Sequence, residues 1–165
     1  MSSQIIIHKH DLWRKGIGGA PAGLIGQSDS NHYAGLDLNL AQFASTTFTG
    51  SSFTATTFKQ AGWTACRFTG CTFTGCDFEG ISISDCTFDN CTFAQSQFKG
   101  TRFTASKFNN CQWNGLNFDG GYWSQVDVLG CTGTTVQADS LRGEHVDFTG
   151  SYFENLEFRN ASINN

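Results

Sequence analysis

The sequence predicts an all-β protein, a four-sided parallel β-helix of about six coils behind a short N-terminal cap. Three observations predict it. An apolar pattern recurs every five residues from residue 41 onward, two positions in each five exclude charge, and large and small residues compensate at a spacing of 20.

Each five-residue phrase has a centre, and the centres fall at residues 43, 48, 53 and so on to 163, making 25 units without insertion. All sixteen Phe are centres, as are Trp63, Trp113 and Trp123. Ile83, Val128, Ile163, Gly133, Ala138 and Gly143 complete the set. All seven Cys (Cys66, Cys71, Cys76, Cys86, Cys91, Cys111, Cys131) lie two residues before a centre, as in "CTFTGCDFEG", residues 71–80. Two uncharged columns this pure identify two buried positions per phrase.

A five-residue step cannot stay on one face of a regular element. In an α-helix it rotates by about 140° beyond a full turn, and in a strand an odd step flips the face. The chain therefore bends once per phrase, at the Gly, Asn, Ser or Thr that follow many centres. Centre and Cys column, two residues apart, share the inner face of a short extended side. Stacked residues should compensate in volume. At a spacing of 20, Trp63 meets Ile83, Trp113 meets Gly133 and Trp123 meets Gly143, while Cys71, Cys91, Cys111 and Cys131 align. Spacings of 15 and 25 do not account for both glycines, so four phrases make one coil. At about 4.8 Å per coil, six coils give a rod roughly 30 Å long. Phe73, Phe93, Trp113, Trp123 and Phe148 are its expected structural core.

Residues 1–35 are read as a cap and flexible segment, and 36–165 as the β-helix. "QIIIH" reads as a short strand or a cap over the first coil, whose open edge would invite polymerisation. "GIGGAPAGLIG", residues 16–26, reads as a flexible apolar loop; it lacks the Gly-Lys-Ser/Thr ending of a phosphate-binding loop. "LEFRNASINN" stays in register to residue 165, and an uncapped last coil points to end-to-end pairing of two copies.

A net charge of −4 argues against direct, nonspecific nucleic-acid binding. No apolar run has the length of a membrane span, and the start does not read as a secretory signal. With an odd number of Cys, reduced thiols in a cytoplasm are expected, although signal-independent secretion would leave no mark. Ala41, Ser51, Ala61, Val126 and Val136 replace Cys in its column, so the thiols read as small filler rather than as metal or redox groups. His8, His10 and Asp11 lack further ligands at a defined spacing and read as polar surface. Catalytic constellations do not stand out, and the expectation is a non-enzymatic protein without metal or cofactor.

The outward positions sort by side. Side one (centres 43, 63, 83 and onward) stacks Arg102, Tyr122 and Arg142, a candidate cation–π ladder. Side two carries Arg67, Asp89, Lys107, Asp127 and Asp147. Side three carries a single charge, Glu154, among Thr, Gln and Asn. Side four carries the column Lys59, Glu79, Lys99, Asp119, Asp139, Arg159. A flat face with little charge to desolvate is a docking surface, so Thr72, Thr74, Thr92, Gln112, Asn114 and Thr132 are the candidate partner face. The alternative is an acidic patch of Asp119, Asp127, Asp139, Glu144, Asp147 and Glu157 that imitates DNA phosphates; the alternating signs on side four weigh against it.

On these phrases, with "LDLNL" at residues 36–40, the chain resembles the pentapeptide-repeat family over residues 36–165. The resemblance implies a right-handed four-sided β-helix with the same inward pair. It also implies a protein partner, because the family includes secretion-associated proteins and topoisomerase-binding proteins. The first class implies a rigid interaction module in a bacterial secretion or effector system. The second implies a DNA mimic that binds DNA gyrase, giving inhibition or quinolone protection; "DCTFDNCTF" is similar to that branch, while its C-terminal dimerisation segment is missing.

Overall fold

The computed structural model describes residues 2–165. Every fifth residue from Leu40 to Asn160 has a left-handed backbone, with φ between 49° and 74°. One such residue, two after each centre, turns the chain through one corner, and four corners close a coil. Glycine holds nine of these 25 corners, while Leu40, Thr135 and His145 are among the side chains that accept a conformation disfavoured for L-residues.

Between corners lie three-residue strands, paired in parallel with the next coil. Side one runs through Gly23–Ile25, Gln42–Ala44, Gly62–Thr64 and Ser82–Ser84. Beyond residue 92 the strands continue around a corner, so that Arg102–Asn109 pairs with sides one and two together. Sides one and two form one twelve-stranded sheet and side three a seven-stranded sheet. The registers Trp63↔Ile83, Trp113↔Gly133 and Trp123↔Gly143 realise the 20-residue coil.

The solenoid has about seven turns rather than six, because parallel pairing begins at Gly23. Leu24 pairs with Phe43 and Asp29 with Phe48, 19 residues apart, whereas Tyr33 pairs with Phe53 at 20. One residue is missing between Asp29 and Tyr33, which breaks the phase at the point where the repeat becomes hard to read. The end of "GIGGAPAGLIG" is thus a strand rather than a loop.

"QIIIH" is neither strand nor coil: Ser3–Arg14 forms helix α1. Its three β-branched residues favour a strand, but the helix buries Ser3, Ile7, His10 and Asp11 along one face, and that packing overrides local preference. The Ser2 hydroxyl caps it by accepting from Ile5 N–H at 3.3 Å. The helix lies over the first coil, as a cap.

The core is a stack of rings. Phe48, Phe68, Phe88 and Phe108 follow one another at 4.6–4.8 Å, within 7° of parallel. Around a coil the rings meet edge to face, as Phe108 and Trp113 do at 88°. Gly133 sits over the Trp113 backbone, where a Cβ would lie 1.9 Å from the carbonyl oxygen, and the indole reaches Phe153 two coils on at 5.4 Å. Phe73, Phe93, Trp113 and Trp123 are fully buried. Phe148 is only partly buried, because its coil is the last complete one; Phe153, Phe158 and Ile163 share its state and Leu156 is 45% exposed.

The Cys column does more than fill space. The thiols of Cys71, Cys91, Cys111 and Cys131 donate to the carbonyls of Phe48, Phe68, Phe88 and Phe108 at 3.2–3.4 Å. Thr101 and Ser151 reach the carbonyls of Phe78 and Val128 by the same 23-residue step. The position therefore suits a short side chain with a hydrogen to give, which unites Cys, Ser and Thr. Burial pushes the Cys76 thiol up to about 11, keeping it protonated.

Candidate interaction surfaces

Thr72, Thr74, Thr92, Gln112, Asn114 and Thr132 all stand on side three, in the strands Thr72–Thr74, Thr92–Gln97, Gln112–Asn117 and Thr132–Asp139. The registers Thr72↔Thr92↔Gln112↔Thr132 and Thr74↔Ala94↔Asn114 set them in two columns on one sheet. Their partners within the strand, Phe73, Phe93 and Trp113, point inward, so ring packing holds the face rigid.

The six acids of the alternative patch do not form one surface. Asp119, Asp139 and Glu157 line a shallow depression on side four with Gln137, Ala138 and Arg159. Asp127 and Asp147 stack on side two, and Glu144 lies on side one opposite Ser124. Within the side-four group, Asp119 accepts from Asp139 N–H at 2.7 Å, and Arg159 lies 3.5 Å from Glu157. Hydrogen bonds from Asn160 and Ser140 hold the Asp139 carboxyl below its ordinary value, and those from Thr149 do the same for Asp147. Exposed pairs also link Lys59 to Asp77 at 3.6 Å and Arg67 to Asp89 at 3.8 Å, each worth about 0–1 kcal/mol. Of the expected ladder, Arg102 lies over Tyr122 at 5.6 Å, while Arg142 turns away to the Asn160 carbonyl at 2.6 Å.

The polar groups that sequence reading missed lie under α1. Asp29, 4% exposed, takes the position that Phe fills in later coils. It accepts from Ser3 Oγ at 2.6 Å, Tyr33 OH at 2.5 Å, Ser51 Oγ at 2.7 Å, and the backbone N–H and side-chain amide of Asn31 at 3.1 and 2.9 Å. Burial pushes this carboxyl upward, but the five donors outweigh burial and leave it below its ordinary value. His10 and Asp11 are buried rather than on the surface: at His10, Ala22 N–H donates to Nδ1 and Nε2 meets the Asn39 carbonyl, both at 2.7 Å. Both nitrogens are engaged, so His8 and His10 do not make a metal pair. Asp29 carries no motif that would single it out; its one trace is the phase slip beside it.

Residues 61–138 match the family described as "Pentapeptide repeat region". This stretch of the β-helix is a pentapeptide-repeat region. Solved pentapeptide-repeat structures are similar to it at low identity. A trypsin-treated variant of QnrB1, a plasmid-mediated fluoroquinolone resistance protein, is 14% identical, with 85% of this chain and 91% of that one covered and a TM-score of 0.43. HetL, a pentapeptide-repeat protein involved in heterocyst differentiation regulation in the cyanobacterium Nostoc, is 12% identical, covering 84% and 88%, at 0.34. Rfr23, from the cyanobacterium Cyanothece, is 8% identical, covering 94% and 99%, at 0.31. No curated protein matches the chain. At these identities and TM-scores the likenesses carry nothing about the activity of this pentapeptide-repeat protein. Among the described residues no helix is long and apolar enough to cross a membrane.

Proposed function

We propose that this pentapeptide-repeat protein is a rigid, non-enzymatic interaction module that binds a protein partner through side three. The observation that carries the reading is the pair of uncharged columns, Thr72, Thr92, Gln112, Thr132 and Thr74, Ala94, Asn114, on a flat parallel sheet. Covering it requires little desolvation of charge, and its rigid backing keeps the ordering cost of binding low. A bacterial secretion or effector setting, and pairing of two copies, extend this reading. Substituting Thr72 and Thr92 together by Lys places two cations at the centre of the face. Captured partners should be lost from the double variant while its unfolding curve stays unchanged; retention of all of them would exclude side three.

The gathering of Asp119, Asp139 and Glu157 supports a second reading, a topoisomerase-binding acidic surface confined to side four. Titration into a gyrase supercoiling assay, with and without a quinolone, tests it. Inhibition or protection that disappears in the triple Asn/Gln variant would move this reading ahead of the first.

A further inference from the structure

We propose that His10 is an acid-sensitive latch that holds α1 over the first coil. The ring is 1% exposed and bridges two separate pieces of chain. The Asn39 carbonyl can only accept, so Nε2 carries the ring's proton, and Nδ1, which receives Ala22 N–H, must carry its lone pair. The structure thus requires the neutral Nε2–H tautomer. A second proton could go only to Nδ1, where it would face the Ala22 N–H. Charging the ring breaks that bond and leaves a buried donor without a partner.

The surroundings offer the added proton no substitute acceptor. The segment Ala20–Gly23 carries no titratable side chain. On α1, Trp13 packs against the ring at 5.3 Å between centroids. Neighbouring Asp11 is committed to Asp37 N–H at 2.8 Å and to Lys15 Nζ at 2.8 Å. At the Asn39 corner, Asp37 is paired with Arg14 at 3.3 Å. Lys59 donates its backbone N–H to Asn39 Oδ1 at 2.7 Å and directs its ammonium to Asp77. His8, the other titratable ring of α1, stands against Tyr33 at 5.6 Å, away from this bridge.

What the latch controls is the edge below it. Ala22 leads directly into the first strand, and Asn39 ends the first coil, so the two bonds tie the helix to both ends of that coil. Releasing α1 uncovers Leu24, Tyr33 and Leu38 together with the first coil's outer strand edges, a template for pairing with another strand. The carboxylates of the cap do not compete for this role. Asp11 and Asp29 both titrate below the ordinary carboxylate value, Asp11 because the bonds from Asp37 and Lys15 outweigh the upward push of burial.

Hydrogen exchange of the full chain between pH 7.5 and 5.5, corrected for intrinsic rates, tests the latch. With one proton taken up on opening, and a free imidazole taking it only below about pH 6.5, protection of residues 3–14 should fall by up to about tenfold in all between pH 7.5 and 5.5, while the rings' strands from 48 to 108 keep theirs. His10→Gln, whose amide can accept and donate without titrating, should abolish the pH response; His8→Gln should preserve it. Nitrogen NMR of the imidazoles at pH 7.5 should find His10 protonated on Nε2 alone. A flat wild-type profile, a His10→Gln profile that still falls, or a proton on Nδ1 at pH 7.5 would overturn the proposal. If His10→Gln fails to hold the helix at any pH, the NMR tautomer decides.

Discussion

Replacing Phe93 by Ala probes the ring stack at its middle. The Phe93 side chain is 1% exposed, lies on Phe73 at 4.8 Å and 7°, and meets Phe88, Phe98 and Phe108 at 5.5–5.9 Å. The Trp113 backbone follows it in register on the other side. A buried aromatic side chain removes roughly 150–250 Å² from water, about 4–6 kcal/mol at 25 cal/mol per Å². The Ala methyl and partial collapse of the neighbours return some of this, leaving an expected loss of about 3–5 kcal/mol. Urea unfolding followed by far-UV circular dichroism reads it, with probes at the two ends of the rod reporting one transition. The same change at Phe158, partly buried in the open last coil, should cost about 1–2 kcal/mol. A loss below about 1 kcal/mol at Phe93, or equal losses at both sites, would refute the stack as the source of stability.

Two further expectations follow from the backbone and the cap. Thr135 is an exposed β-branched residue at φ 57°, so Thr135→Gly should stabilise by about 1 kcal/mol and raise the melting temperature by roughly 2–4 °C; a drop would show that its side chain compensates for the conformation. Asp29→Asn puts amide hydrogens among donors and should cost the cap about 1.5–3 kcal/mol, read as lost exchange protection of α1. The sign with pH follows from the depressed carboxyls: the Asp29 contribution is complete above the unfolded-state value of 3.8 and is lost as pH falls through the lower folded value, so cap stability should decline below about pH 4 more steeply in the wild type than in Asp29→Asn, where the depressed Asp11 alone contributes a loss of the same sign.

Much of the rod was legible because its rule is local and strict. Trp113 and Gly133 declare their stacking by volume, and the Cys series declares the coil length, so four sides follow from one chain without its coordinates. The first coil was hidden by one missing residue between Asp29 and Tyr33, and by a carboxylate where the rule demands Phe. Helix α1 was misread because its burial belongs to tertiary contacts that "QIIIH" does not encode. The donor role of Cys was invisible for a different reason: the acceptor carbonyls lie 23 residues back, on the neighbouring coil. The side-three columns were legible in the sequence, and so was the separation of Asp127 and Asp147 from Asp119, because four phrases per coil assign every outward residue to a side.

Turning once at every fifth residue gives the rod an angular address system. Adding one phrase would advance everything beyond it by a quarter-turn relative to α1, and adding four would leave every direction unchanged while lengthening the rod by about 4.8 Å. Trp113 and Gly133 would travel together and keep their fit, but a phrase inserted between Lys59 and Asp77 would swing them onto different sides. Gain or loss of whole phrases is therefore a way to re-aim surfaces about a common axis without redesigning what lies inside.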